Sequence, residues 1–404
     1  MIFYCVRRGK RLRHLFLKRS ICIMSVNTLK LEERKKVILY VMAPDDCISH
    51  EKDSIVQQWV NYGESLAIDQ HCVFLLNRKR NKAEAVALNS NSAELGAETL
   101  HDALIPLYRH IKLVRPDIVI AAETKTNFAL LTLKPFLPKN IRYLIREDVP
   151  PSFYTGRSFP HGWMAKSAYR LLYKQADCVI SPCQNIIDKL ARAGVILNDA
   201  RVIYDAVTDC AQDSGTKLRP LSPEGHVHFV AAGEFEPHKG YDLLLQALSH
   251  TLMPREWHLT LIGEGAMKAE LMHLIEGQGL KGRVSIKDDV SQSKPYFGAA
   301  DAFLLPSLSE AMPYTALEAL ACGTPVIAMR SAGGIADVVA MSGKGVKTAA
   351  TFEGFIDAMK AVKAQSKDKY AQSLLPKAFA QESARQAYND VLKEILITSN
   401  RAQG

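Results

Sequence analysis

His228-Phe-Val-Ala-Ala232, Gly233-Glu-Phe-Glu-Pro-His-Lys-Gly240 and Tyr241-Asp-Leu-Leu-Leu-Gln-Ala-Leu-Ser249 follow one another directly in the chain. The first is an apolar run of strand length, the second a turn marked by glycine and proline, and the third has apolar residues at helical spacing. The same unit recurs on both sides of this stretch. Strands are expected at residues 37–42, 72–76, 118–122, 142–145 and 178–181, with helices at 53–67, 98–114, 164–175 and 185–193 between them. After residue 225 strands are expected at 228–232, 258–262, 284–287, 302–305 and 325–329, with helices at 240–249, 268–278 and 314–321. Strand and helix in alternation specify an α/β chain with parallel sheets covered on both faces.

Residues 208–225 interrupt this rhythm with Asp209, Asp213, Ser214, Gly215, Pro220, Ser222 and Pro223, and are read as a linker between two doubly wound halves. The expected division is a basic leader at 1–34, a first half at 35–207, the linker at 208–225, a second half at 226–380, and a C-terminal segment at 381–404 whose helix is placed to pack back across the first half. Open parallel sheets take ligands beyond the carboxyl ends of their strands, so the cleft between the halves is the expected active site.

Composition limits the alternatives. The chain has 404 residues, 48% hydrophobic, 23% charged and 8% aromatic, which suits two globular domains and provides apolar surface to offset ordering entropy. No run approaches the ~18 apolar residues of a spanning helix. The net charge of +9 is local: seven of the 51 basic groups lie within residues 1–23, leaving 44 against 42 acidic groups, a net of +2. A nucleic-acid partner is therefore not expected. The leader lacks the apolar core of a secretory signal and reads as an unstructured tail, a basic segment for anionic lipid or nucleic acid, or sequence upstream of a true start at Met24. Eight cysteines without framework spacing read as small buried thiols of a reducing compartment.

Chemistry concentrates in the second half. Gly233 through Gly240 is followed by Leu261-Ile-Gly-Glu-Gly265 and then by Pro306-Ser-Leu-Ser-Glu310-Ala-Met-Pro-Tyr-Thr-Ala-Leu-Glu318-Ala-Leu-Ala-Cys-Gly-Thr-Pro-Val-Ile327. A proline in a first helical turn costs no hydrogen bond, so Pro313 suits a helix start, with the Ala311–Tyr314 amides presented at a positive helix end that favours phosphate. Glu310 and Glu318 flank that end and offer acceptors to sugar hydroxyls. Alone, the pair reads better as acids at a solvated helix start favoured by the helix dipole. Lys239, six residues after Gly233, supplies a cation for a leaving diphosphate.

Together these motifs resemble the retaining family 4 glycosyltransferases of the GT-B fold, most strongly over residues 228–339. The resemblance implies two Rossmann-like domains facing across a cleft, the first for the acceptor and the second for a nucleotide-sugar donor. It further implies hexosyl transfer with retention, as in bacterial surface polysaccharide or lipopolysaccharide assembly, with no cofactor. Carried over residue by residue, Glu310 contacts the transferred sugar and Glu318 the nucleotide ribose. Lys239 and Glu310 are the expected catalytic residues, and Gly233, Glu234, Lys239, Glu310, Ala311, Met312, Pro313 and Glu318 the expected substrate contacts. One position departs from the family pattern: where an arginine usually follows the first glycine as a phosphate clamp, this chain has Glu234. Either another cation substitutes, or Glu234 points away, or donor binding is impaired.

The remaining features are weaker. No Asp-x-Asp or other metal-ligand spacing occurs, so metal-independent transfer is expected. Gly263-Glu-Gly265 matches only the front of a dinucleotide fingerprint, and Gly333-Gly334 allows backbone to approach a ligand. The loop Ala43-Pro-Asp-Asp-Cys47 lacks the glycines that the family places after its first strand, which leaves the acceptor site unread. Arg146-Glu147-Asp148 reads as a contact at the cleft rim or a surface ion cluster. Lys166, Arg170 and Lys174 line one helix face beside Trp163, Tyr169, Leu172 and Tyr173, which fits a solvated basic face or docking on a membrane carrying a lipid-linked acceptor. The expected location is cytoplasmic, peripheral to the inner membrane face. Competing readings are a GT-B-like nucleotide-sugar epimerase, a nicotinamide oxidoreductase, and a catalytically degenerate glycosyltransferase serving as a partner subunit.

Overall fold

The computed structural model describes residues 35–42, 58–66, 68–76, 92–156, 161–208, 210, 225–251, 253, 256–288, 293–342, 345–365 and 371–401. The basic leader, the loop Ala43–Cys47 and most of the expected linker lie outside the described residues.

Among the described residues the first half holds seven strands: β1 (Val37–Met42), β2 (Asp69–Leu76), β3 (Ser92–Ala97), β4 (Ile118–Ala122), β5 (Arg142–Arg146), β6 (Cys178–Ser181) and β7 (Ala200–Val202). Its main helices are α1 (Leu100–Val114), α2 (Thr124–Leu133), α3 (His161–Leu172) and α4 (Gln184–Arg192). The second half holds β8 (Val227–Ala232), β9 (Trp257–Ile262), β10 (Val284–Lys287), β11 (Ala302–Leu305), β12 (Val326–Met329) and β13 (Val346–Ala349). Between them run α5 (Tyr241–Ser249), α6 (Lys268–Gly277), α7 (Ser293–Ala299), α8 (Tyr314–Ala321), α9 (Ile335–Ser342) and α10 (Phe352–Lys360), and α11 (Gln381–Arg401) ends the chain.

Every strand pairing is parallel. The sheet orders are β3-β2-β1-β4-β5-β6-β7 and β10-β9-β8-β11-β12-β13. In each, the order reverses at the first strand, between β1 and β4 and between β8 and β11. Loops leaving the carboxyl ends of those two strands diverge to opposite faces and open a crevice.

Burial accounts for the strands. β1 and β8 are buried at every position, as a central strand with helices on both faces requires. Helix α11 crosses to the first half, where Ala384, Tyr388, Val391 and Leu392 pack with Ile38, Tyr40, Ile118 and Leu144. Its anchor is polar as well as apolar: the Tyr388 hydroxyl lies 2.8 Å from that of Tyr40, which donates to Gln70 at 2.9 Å, and the Tyr388 ring stacks on Trp59.

Two expectations require correction. Arg146 and Glu147 are fully buried, so they form no surface ion cluster. Tyr169 and Tyr173 are core residues packed against Phe128, so the membrane-facing apolar area on α3 reduces to the exposed Trp163, Met164 and Leu171. The rings turn inward because that flank of the segment packs on α2, where Phe128 meets both edge to face.

Strands β8 and β9 also carry a stacked histidine pair, His228 and His258, with His228 Nε2 3.1 Å from the Thr260 hydroxyl. Burial first, and the neighbouring His258 second, push the His228 pKa down to about 3 from its ordinary 6.5. The unfolded chain therefore binds a proton near pH 6.5 that the native state refuses, and stability present above that value is lost as pH falls toward 3. His228→Gln should remove about 2 kcal/mol of the stability difference between pH 7.5 and 5.0, read from urea midpoints. An unchanged difference would show that other groups set it.

Candidate active site

The loop after β8 and the loop after β11 flank the reversal point of the second sheet. The first carries Gly233 to Gly240 and ends in a short 3-10 turn, Pro237–Lys239. The second carries Pro306 to Pro313 and leads into α8. They are joined by Leu308 N donating to His238 O at 2.8 Å, while the Thr315 hydroxyl ties α8 to Ala232 O at 3.1 Å.

Across this junction Lys239 Nζ donates to Glu310 Oε1 at 2.7 Å, and the Ser307 hydroxyl donates to the same oxygen at 2.9 Å. Both side chains are largely covered, Lys239 to 18% exposure and Glu310 to 10%. Partial burial strengthens such a pair relative to an exposed one, and its two members come from different loops, so it fixes the loops on each other. Tyr241 lies beneath, its hydroxyl pKa raised by burial and then by the Glu310 charge. The sequence-expected residues Gly233, Lys239, Glu310, Ala311, Met312 and Pro313 thus lie on two adjoining loops, with half-buried Glu318 inside α8.

Glu234 behaves differently. It is exposed, and among the described residues the ammonium of Lys239 is engaged by Glu310 rather than by Glu234. Pro313 is also displaced from its expected place. It precedes the helix with φ −84° and ψ 80°, an inverse γ-turn in which Tyr314 N donates to Met312 O at 3.1 Å. The Tyr314 amide is therefore already committed, and Met312 is buried rather than presented.

The glycine pairs serve loop packing rather than a dinucleotide. A Cβ on Gly263 would lie 2.0 Å from Gly233 O, so the β9 loop presses directly on the turn that carries Lys239. A Cβ on Gly333, where φ is +48°, would lie 2.0 Å from Glu310 O, and Gly334 N donates to Ala311 O at 2.7 Å. These glycines bring backbone against the glutamate loop.

The sequence reading missed what surrounds Arg146. Its guanidinium donates to both oxygens of Asp205 at 2.7 and 2.6 Å and to Asp148 at 2.6 Å, and lies over the Trp59 ring. Burial alone would lower its pKa, but the Asp148 and Asp205 carboxylates outweigh burial and hold it well above the ordinary value. Asp205 also accepts from the hydroxyl of Tyr314, the first residue of α8. Nearby, Asp337 of the second half accepts from Gln184 N at 2.8 Å and the Tyr204 hydroxyl at 3.3 Å, both from the first half. Glu147, its pKa pushed up to about 7 by burial, accepts from Thr124, Tyr173 and Val149 N. Sequence spacing does not flag this cluster, because its members lie on separate elements joined only by the fold. The thiol expectation is likewise corrected: Cys210 and Cys322 form a disulfide, while Cys72, Cys178 and Cys183 are free and buried.

Residues 217–374 match the family described as Glycosyl transferases group 1. Over that segment the chain is similar to the group 1 glycosyl transferases. It is 25% identical over 235 residues to the lipopolysaccharide core biosynthesis glycosyltransferase LpsE of Rhizobium meliloti, covering 54% of this chain and 68% of that protein. A 27% identical match to the sulfoquinovosyl transferase SQD2 of Arabidopsis thaliana spans only 44% of that relative. Among solved structures, the lipopolysaccharide outer core galactosyltransferase WaaB superposes with a TM-score of 0.69 over 89% of this chain and 99% of its own, at 18% identity. Anabaena HepE in complex with UDP and glucose superposes at 0.62 over 89% and 100%, at 16% identity. The fold of the chain is GT-B. Among its described residues no group of three or more His, Cys, Asp or Glu could hold a metal ion, and no helix is long and apolar enough to cross a membrane.

Since Gly263 sits against Gly233 O, Gly263→Ala should cost about 2–4 kcal/mol in denaturant unfolding, whereas Gly277→Ala, with nothing within 4 Å of the added carbon, should cost nothing or stabilise. Equal effects would refute the packing role of Gly263.

Proposed function

We propose that this chain transfers a hexosyl group from a nucleotide-diphosphate sugar to a glycan or lipid-linked glycan acceptor, with retention at the anomeric carbon, in the assembly of a bacterial surface polysaccharide or lipopolysaccharide. The observation that carries this reading is the Lys239–Glu310 pair, set across the point where the second sheet reverses, inside the segment that matches the family. A cation and a carboxylate at that crevice suit a ligand that has both phosphate and hydroxyl groups.

In the proposed reaction the bond from the anomeric carbon to the diphosphate oxygen breaks, and its electron pair stays with the diphosphate. The acceptor oxygen bonds to the carbon on the same face, and its proton passes to the departing oxygen. Lys239 has three ammonium hydrogens and commits one to Glu310, which leaves donors for the developing charge. Glu310 accepts at Oε1 from Lys239 and Ser307 and orients toward a sugar hydroxyl. Glu318 is assigned to the ribose, and Gly233 with Ala311, Met312 and Pro313 to the backbone wall of the donor site. The acceptor is assigned to the first half, and docking at a cytoplasmic membrane face is favoured by exposed Trp163, Met164 and Leu171 beside exposed Lys166, Arg170 and Lys174 on and just beyond α3.

The second reading, a degenerate transferase acting as a binding subunit, rests on Glu234. An exposed acid beside the phosphate turn opposes a diphosphate without abolishing the Lys239 contact. With UDP, GDP and ADP as calorimetric probes, Lys239→Ala should weaken binding of the preferred nucleotide about ten-fold, and Glu234→Arg should tighten it several-fold by adding a guanidinium fork. Indifference to both substitutions would remove this turn from the donor site, and nucleotide binding without hydrolysis or transfer would favour the binding subunit. Transfer is also expected to survive EDTA; loss with chelator and recovery with manganese or magnesium would overturn the metal-independent scheme.

A further inference from the structure

Helix α8 is eight residues long, about 12 Å, and a helix that short has little stability of its own in water. Its placement must come from what holds it. One short stretch of chain, Asp205 to Cys210, reaches both of its ends. At the start, Asp205 accepts from the hydroxyl of Tyr314, the first residue of α8. Asp205 is itself immobilised, since Arg146 donates to both of its oxygens and is completely buried while doing so. At the other end, Cys210 is disulfide-bonded to Cys322, the residue that follows α8, with 4.9 Å between the two Cα atoms. Cys322 N in turn donates to the carbonyl of Glu318 at 3.0 Å. The stretch that leaves the first sheet therefore grips α8 by its first residue and by its last turn, and Glu318 lies between the two grips.

We propose that Asp205 and Cys210 are positioning residues for Glu318, and that the Cys210–Cys322 disulfide makes the affinity of the donor site depend on redox state. The proposal rests on the assignment of Glu318 to the nucleotide ribose. A hydrogen bond that Glu318 accepts from a hydroxyl depends on placement within about half an ångström, and a helix tethered at one end only samples a wider range. The bridge is the adjustable grip. A small dithiol opens it by attack on one sulfur to give a mixed disulfide, whose second thiol closes a ring and releases the protein. Two electrons and two protons pass from the dithiol to Cys210 and Cys322. Both sulfurs are buried, Cys210 at 0% and Cys322 at 1% exposure, so reduction waits on local opening and the disulfide resists brief contact with a reductant.

The test compares the full chain with the bridge closed and after prolonged incubation with dithiothreitol, thiols being counted by alkylation. Hydrogen exchange across residues 314–322 reads the helix directly and needs no ligand. Calorimetry with UDP, GDP and ADP reads the site. Reduction should speed exchange in 314–322 and weaken binding of the preferred nucleotide about five-fold. The double variant Cys210→Ser with Cys322→Ser should match the reduced protein and ignore dithiothreitol. Tyr314→Phe, which removes one hydroxyl and keeps the ring, should weaken binding about three-fold in the oxidised protein. In a Glu318→Ala background reduction should speed exchange and leave nucleotide affinity unchanged. Unchanged exchange on reduction overturns the tether, and an equal loss of affinity with and without Glu318 overturns its assignment as the residue positioned. If exchange quickens but the oxidised protein binds none of the three nucleotides, the donor-site reading falls while the tether stands.

Discussion

A parallel sheet must connect its strands by crossovers, and the chain that winds outward from a central strand in both directions leaves a gap at that strand which no crossover covers. In the second sheet this gap lies between β8 and β11, and the two loops that border it carry Lys239 and Glu310. The charges are thus brought together by topology before any side-chain preference acts. Their pairing then holds the loops, because a lysine and a glutamate this well covered cost far more to separate than an exposed pair. The glycines around them follow from the same constraint. Four loops converge there, those after β8, β9, β11 and β12, and only residues without a Cβ let Gly263 meet Gly233 and Gly333 meet Glu310.

Placement of charge separates the two halves. The second half exposes Glu234 and keeps Lys239 on a carboxylate, while the first half buries a whole guanidinium between Asp148 and Asp205. Arg146 is consequently no substitute for the arginine that Glu234 replaces, since it is fully buried and each of its three nitrogens donates to a carboxylate of its own half. A buried cation with two acidic partners is affordable only as a complete set, so loss of Asp205 would leave an uncompensated charge in the core.

How much of this was legible depended on how local each signal was. The buried strands read directly from apolar runs, and β1, β4, β6, β8, β9 and β11 lie within two residues of their expected limits. The edge strands β3, β7 and β13 were missed because Ser92–Ala97, Ala200–Val202 and Val346–Ala349 are half exposed and carry polar residues, without an apolar run to mark them. The motifs around Lys239, Glu310 and Glu318 were legible because each lies within a few residues of a strand end. The Arg146–Asp205–Tyr314 cluster and the Cys210–Cys322 disulfide were not, since their members are separated by 59, 109 and 112 positions and only the folded chain joins them.

The contacts between the halves also indicate what parting them would disturb. Tyr314 donates to Asp205, Gln184 N and Tyr204 donate to Asp337, and the Cys183 thiol lies 3.4 Å from Ala311 O. If the halves separated, Arg146 would keep Asp148 and Asp205, both of its own half, so no buried charge would be stranded. The polar groups uncovered would include the Tyr314 hydroxyl and the Asp337 carboxylate, whose pKa burial now raises. The noncovalent closure is apolar as well as polar, since one buried cluster joins Cys183, Ile186 and Val207 to Met312, Ile335 and Phe379. The disulfide and helix α11 are not released by such a motion, which confines opening to a swing about the connection that they hold.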